Sequence, residues 1–248
     1  MDKNYESLYH SVEDTNWWFV ARRDMLFKFL AKYNVPKDAR ILDIGCAAGT
    51  FLLELKNAGY TNLTGLDYSA EAIDRVKEKG IADAHVMDGH NPEFAADSFD
   101  VLISSDSLEH LENDELALSN WYKVLKPGGL GIVLVPAYNF LWTEHDDINY
   151  HFRRYTKTDL KKKATAAGFK IQFSGYNYVL FFIPTAMVRL AMRLFSKKKK
   201  EQEEGDGQIL NLPGWVNKTF IIYHKIENSL CKYISMPFGV SAFVSFRK

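Results

Sequence analysis

Between residues 39 and 175, short apolar runs alternate with amphipathic stretches, the pattern of βαβ units around a parallel sheet. The spacing predicts a first strand at 39–44 (ARILDI) and a helix through 51–55 that ends at Gly59, a residue suited to a helix C-cap. A second strand at 62–66 leads to a helix opened by Ser69 and closed by Gly80, and 84–87 is a short third strand. The nearly continuous apolar run at 99–104 (FDVLIS) reads as a fourth, buried strand. A helix over 115–125 is expected to stop at Pro127-Gly128-Gly129, and 130–135 (LGIVLV) is the fifth strand. Thr156 with Asp159 resembles a capping box for a helix ending at Ala167-Gly168, and 169–173 is the sixth strand. The run at 240–246 (VSAFVSF) alternates like a strand and is expected to pair at the sheet's edge.

The same pattern divides the chain into a helical cap (1–38), an α/β core (39–175), a helical insertion (176–238) and a final edge strand (239–248). The cap carries Trp17, Trp18 and Phe19, followed by Arg22 and Arg23. With Tyr5 and Tyr9, this cluster either roofs the ligand cleft or forms an aromatic core helix. In the insertion, the eleven-residue apolar run at 178–188 is interrupted by Pro184. Fully helical, it would reach roughly 16 Å, about half the ~30 Å hydrocarbon thickness of a bilayer. It therefore cannot cross a membrane. Its amphipathic continuation runs into Lys197–Lys200, as an interfacial helix on an anionic leaflet would. A lid over a pocket and a homodimer contact are the competing readings. A second amphipathic helix is expected around 215–234.

Composition narrows the function. The 248 residues hold 31 basic and 31 acidic side chains, so no global field recruits nucleic acid, and none is expected as a partner. Cys46 and Cys231 form neither a disulfide framework nor a zinc-site spacing, and no metal ligands are assigned. The first residues lack the basic-then-apolar order of a secretory signal, and the chain reads as reduced and cytoplasmic.

The strongest chemical signal is 41–49 (ILDIGCAAG), a strand entering a loop of small residues before a helix. Small residues admit a ligand to the backbone, and the helix start offers free N–H groups. The glycine spacing is G-x-x-x-G, without the G-x-G-x-x-G of a nicotinamide fold or the G-K-[ST] of a P-loop, so a pyrophosphate ligand is disfavoured. Asp67 closes the second strand, where an acid accepts both hydroxyls of a ribose. Asp88 follows the third strand and either accepts from an adenine amino group or forms an Asp-Gly turn.

At these residues the sequence resembles the class I S-adenosylmethionine-dependent methyltransferases. The matching elements are LDIGCAAG, GLDYS, VMDG, DSFDVLISSDSLEHL and LKPGG, in the family's order, over roughly 39–136. The resemblance implies a Rossmann-like seven-stranded sheet of order 3-2-1-4-5-7-6, the last strand antiparallel, and S-adenosylmethionine as cofactor. It implies that Asp43, Gly45, Cys46 and Gly49 cradle the methionine part, and that Asp67 with Tyr68 holds the ribose. Asp88 and Gly89 would border the adenine, with Ser104 and Ser105 beside the sulfonium. One departure is Ala47, where many relatives have glycine.

A general base is needed only for a poor nucleophile such as a hydroxyl. The segment 141–155 (LWTEHDDINYHFRRY) follows the fifth strand at the sheet's carboxyl end, where ligands bind. His145, flanked by Glu144 and Asp146, is the first candidate base and His151 the second; Arg153 and Arg154 are candidates to meet an anionic acceptor group. The competing reading is a loop pinned by its own salt bridges. His110 is read as a packed structural histidine or a pocket-lining one. The H-x-R-R-Y-T stretch resembles a subset of these methyltransferases associated with glycan, lipid or cell-surface metabolism. The expectation is methylation, at oxygen, of a small apolar or lipid- or glycan-linked acceptor. The alternatives are a protein or RNA methyltransferase, or an inactive cofactor-binding scaffold.

Overall fold

The computed structural model describes residues 13–195 and 212–248, apart from the side chains of His145 and of residues 192–195. Among the described residues, seven strands form one sheet: β1 (Arg40–Ile44), β2 (Asn62–Asp67), β3 (Ala84–Val86), β4 (Phe99–Ser105), β5 (Leu125–Pro136), β6 (Lys170–Asn177) and β7 (Ser241–Arg247). Their order is β3-β2-β1-β4-β5-β7-β6. The first five pair in parallel, and β7 runs antiparallel to both β5 and β6.

Helices cover both faces, which is why the strands read as unbroken apolar runs. Along each strand, successive side chains go to opposite cores. Ile41, Val101, Ile103, Ile132, Leu134 and Phe243 join Met25, Phe29, Leu52 and Ile73 on one face. Leu42, Leu102, Val133, Val135 and Val244 join Leu118, Trp121 and Leu160 on the other. Burying each such aliphatic side chain is worth about 1.5–3 kcal/mol.

The connecting helices are α1 (Trp17–Lys32), α2 (Thr50–Asn57), α3 (Ala70–Glu78), α4 (Asp114–Val124), α5 (Glu144–Ile148), α6 (Lys157–Ala166), α7 (Val179–Phe195) and α8 (Gly214–Cys231). Local chemistry sets their ends. Asn16 caps α1, Ser69 accepts from Ala72 N–H at the start of α3, and Thr156 with Asp159 completes the expected capping box of α6.

Two expectations are corrected. β5 begins at Leu125, before the Pro127-Gly128-Gly129 stop. A residue preceding proline is pushed out of the helical region, and the chain is already extended at Leu125 (φ −78°, ψ 136°). Residues 126–129 then bulge between the Phe99–Leu125 and Val101–Leu130 pairs. Secondly, β7 lies between β5 and β6 and not at the sheet's edge. Its first six residues are all buried, including Ser241 and Ser245, so both faces and both flanks need neighbours.

α1 packs along α8. Asn228 Nδ2 donates to Ala21 O (2.8 Å), and Trp17 N–H donates to Asn217 Oδ1 (2.8 Å). Trp17 stacks with Phe181 and His224, and Trp18 lies flat on Tyr178 at 4.1 Å between centroids. Of the two readings of the Trp17–Phe19 cluster, the core reading holds for Trp17. Tyr5, Tyr9 and Lys197–Lys200 lie outside the described residues. No helix among the described residues is long and apolar enough to cross a membrane.

Candidate active site

β1 ends at Ile44 and enters the loop Gly45-Cys46-Ala47-Ala48-Gly49, after which α2 starts at Thr50. Gly45 and Gly49 both adopt φ +76°. Space is closed there as well: a Cβ on Gly45 would lie 2.5 Å from Ser107 Oγ, and one on Gly49 2.8 Å from Val76 Cγ2. Ala47 holds φ +46° despite its methyl group, at a strain of about 1–2 kcal/mol.

Asp67 is tied into this loop. Its Oδ2 accepts from Ala47 N–H (2.9 Å) and its Oδ1 from Ser69 N–H (2.9 Å). The residue implied as ribose acceptor thus also fixes the glycine loop against β2. Tyr68, next to it, is 84% exposed. Asp43 is buried under the loop. Burial, and then Asp67 and Glu13, push its carboxyl up to about 7. Three carboxylates around one small-residue loop suit a ligand that brings a sulfonium and an ammonium, which S-adenosylmethionine does. Cys46 is a free buried thiol, raised far above its ordinary range by burial and then by Asp43, and so holds no nucleophile.

Further along the carboxyl edge, the hydroxyls of Ser104 and Ser105 are buried without a protein partner. Asp88 Oδ1 accepts from both the backbone and the ring of His90 (2.9 and 2.8 Å), the turn expected as its alternative role. Gly89 O accepts from Trp121 Nε1 (2.8 Å).

The segment that carries the candidate bases and arginines centres on Asp146, which is fully buried. Its Oδ1 meets His151 Nδ1 (2.8 Å) and Arg154 Nε (2.7 Å). Its Oδ2 accepts from a terminal nitrogen of Arg154 (2.9 Å) and from Thr143 N–H (2.8 Å). Burial would raise this carboxyl, but the His151 and Arg154 contacts outweigh it and hold it well below the usual carboxylate range. Arg154 is thereby held by Asp146, and Arg153 bridges to Asp114 (3.1 Å) and Glu112 O (2.6 Å). Both candidate arginines pin the loop. The side chain of His145, the first candidate base, lies outside the described residues.

Asp106, Arg22 and Glu109, to which the sequence alone assigned no role of their own, lie beside these groups together with His110. Asp106 follows β4 at φ +52° and pairs with Arg22, whose other nitrogen donates to Ser241 Oγ (3.1 Å). Arg22 also lies over Trp18 (5.3 Å to the centroid). Glu109 is fully buried, and its carboxyl is raised by burial against the pull of His151. His110 packs edge-on to His151 at 4.5 Å, and burial, then His151, hold it neutral at about 3. The signal available in the sequence was the run S-S-D-S-L-E-H itself, whose acids precede a helix yet cap nothing.

A methyltransferase-domain family model matches residues 21–172. Over 57 residues the chain is 42% identical to EEF1A lysine methyltransferase 2 of Homo sapiens, covering 23% of this chain and 24% of that protein. Over 158 residues it is 28% identical to the ubiquinone/menaquinone biosynthesis C-methyltransferase UbiE of Geotalea daltonii, covering 60% and 64%. The chain thus spans between about a quarter and two thirds of the length of these curated relatives. Among solved structures, the Haloferax volcanii methyltransferase in complex with the Trm112 activator superposes with a TM-score of 0.63 at 16% identity, over 98% of this chain and 94% of that one. Geranyl diphosphate C-methyltransferase from Streptomyces coelicolor, bound to Mg2+, geranyl diphosphate and S-adenosyl-L-homocysteine, gives 0.53 at 13%, over 85% and 71%. At these identities the structural likeness is one of fold. Together with the glycine loop and its acids, the family match identifies this chain as a member of the methyltransferase-domain family, a class I S-adenosylmethionine-dependent methyltransferase.

Proposed function

We propose that this methyltransferase acts on an oxygen of a small acceptor, apolar or linked to a lipid or glycan, held over the carboxyl ends of β4 and β5. The observation that carries this reading is the buried Arg154–Asp146–His151 chain. S-adenosylmethionine, when bound, supplies the electrophilic methyl carbon. Asp43, Gly45, Cys46 and Gly49 hold its methionine portion, Asp67 with Tyr68 holds the ribose, Asp88 and Gly89 border the adenine, and Ser104 and Ser105 face the sulfur. Asp146, kept ionised by Arg154, orients His151 with Nδ1–H toward itself, so Nε2 carries the lone pair. That lone pair is the base available to an acceptor hydroxyl, while the pocket aligns donor and acceptor and excludes water.

The exposed face of α7 supports an apolar acceptor delivered from a membrane surface. Leu180, Ile183, Met187 and Leu190 follow helical spacing and are 50–66% exposed. The reading includes a cytoplasmic protein in peripheral contact with that surface. Flotation with anionic liposomes tests it: wild-type protein that stays at the bottom of the gradient removes the membrane contact.

A protein lysine acceptor is the second reading, favoured by the match to EEF1A lysine methyltransferase 2. Labelled S-adenosylmethionine with lipid, glycan and protein acceptor panels decides between them. Alkali-stable label on an oxygen supports the proposal, and label on lysine nitrogen refutes it.

A further inference from the structure

Glu109, on the single 3-10 turn Leu108–His110 after β4, is fully buried, and neither carboxylate oxygen has a hydrogen-bond partner. A buried carboxyl whose oxygens meet no hydrogen-bond donor is destabilising even when it keeps its proton, and a bound cation would relieve that cost. The neighbouring acids already have guanidinium partners, Asp106 in Arg22 and Asp146 in Arg154. Glu109 has none.

Two imidazoles share its space. One donor atom from each of Glu109, His110 and His151 lies within 4.8 Å of the others. For His151 the donor is fixed by chemistry. Nδ1 is engaged by Asp146 at 2.8 Å, which leaves Nε2 as the ligand nitrogen. A carboxylate behind a histidine is the arrangement that orients and strengthens metal-binding imidazoles. We propose that Glu109, His110 and His151 form a binding site for one divalent transition-metal cation at the acceptor end of the pocket.

Ligand type selects the class of cation. Two imidazole nitrogens and one carboxylate, with positions left open, suit zinc, iron(II) or manganese(II), whereas magnesium and calcium prefer all-oxygen sets. Ligand bonds of about 2.0–2.2 Å bring donors to roughly 3–3.5 Å from each other. Side-chain rotation closes that gap from the 4.8 Å limit seen here. Asp106 Oδ1, three residues before Glu109, is another buried oxygen without a partner on the same loop.

The consequence deepens the oxygen-directed reading and rests on it. A cation at this site lowers the pKa of an acceptor hydroxyl, which releases its proton to solvent. The C–O bond then forms as the C–S bond breaks, and the electron pair stays on the now neutral thioether sulfur. With the cation bound, Nε2 of His151 is a ligand, so activation of the hydroxyl by the cation replaces the direct proton transfer available to His151 in the metal-free site. Binding of the cation does not depend on which acceptor is used.

The test uses full-length protein stripped with a chelator, then titrated with Zn2+ against a chromophoric competitor and with Mn2+ by electron paramagnetic resonance. The expected result is one equivalent bound to wild type. Glu109→Gln and His110→Gln should each weaken binding at least tenfold, and Asp146→Asn about 10–100-fold. The exposed His85→Ala control should match wild type. Retained S-adenosylhomocysteine binding shows that each variant is folded. The proposal is overturned if stripped wild type takes up no stoichiometric cation, or if folded Glu109→Gln binds as wild type does. Oxygen methylation that persists in excess chelator also overturns it while leaving the acceptor assignment intact. Stoichiometric binding with methylation only at nitrogen keeps the cation site and defeats the oxygen reading.

Discussion

Replacing Asp67 by alanine should separate two functions that this carboxylate combines. In the free protein it accepts two backbone N–H groups, from Ala47 and Ser69, each at 2.9 Å. Hydrogen bonds to a charged group are worth about 1.5–3 kcal/mol each. Solvent reaches the edge of this site and recovers part of that, so a loss of about 2–4 kcal/mol in stability is expected. In a chain of this size 1 kcal/mol moves Tm by about 2–4 °C, which puts the drop at roughly 4–16 °C. The ribose contact is an additional loss of the same class, about 1.5–3 kcal/mol, or roughly 10–150-fold in Kd. Calorimetric titration with S-adenosylhomocysteine measures the second quantity and thermal unfolding without ligand the first. A variant that melts early yet binds with wild-type affinity would reduce Asp67 to a loop clamp. A variant with unchanged Tm and unchanged Kd would sink the account of the loop altogether.

Other perturbations test the remaining links. Ala47→Gly removes a methyl from a left-handed backbone position and should raise stability by about 0.5–1 kcal/mol, seen as a higher denaturant midpoint at constant slope. Asp43 titrates near 7 when folded, above its ordinary value of 3.8. The folded state therefore holds a proton that the unfolded state has lost, and the free protein loses stability as pH rises from about 4 to 7. Because a cationic ligand favours the ionised carboxyl, the thermal shift produced by S-adenosylmethionine should grow between pH 6 and 8, and Asp43→Asn should flatten that growth. His151→Gln should leave S-adenosylhomocysteine binding within a factor of two while lowering turnover by about 10²-fold or more; equal losses in both would show a structural role. Asp146→Asn strands Arg154 in a buried site and should destabilise by about 3–5 kcal/mol, measured by chemical denaturation.

The glycine loop and the acid that clamps it were legible because their determinants are local. A strand, a loop of small residues and an acid at the end of the next strand fix each other within about thirty residues, and β1, β2 and their loop stand where the pattern put them. The pairing around Asp146 was not legible in the same way. Asp146, His151 and Arg154 lie within nine residues of each other, yet which of them pair depends on how the segment folds back against Ala137 and the turn at Leu108–His110. His110 read equally as a packed or a pocket-lining histidine and Glu109 was not singled out, because burial gives no periodic signal on a single 3-10 turn. The early start of β5 escaped because Pro127 and the two glycines look like a stop, whereas here they form a bulge inside a strand.

The position of β7 has a consequence for synthesis. β5 ends at Pro136 and its partner begins at Ser241, so about a hundred residues must emerge between the two. At roughly 5–20 residues per second, the nascent chain presents an open β5 edge for about 5–20 s. That edge carries Ile132, Val133, Leu134 and Val135, all fully buried once the sheet is complete. An unpaired apolar strand of this kind is a template for association with other chains. Yield during rapid expression should therefore depend on chaperone capacity and temperature more than on the equilibrium stability of the finished sheet.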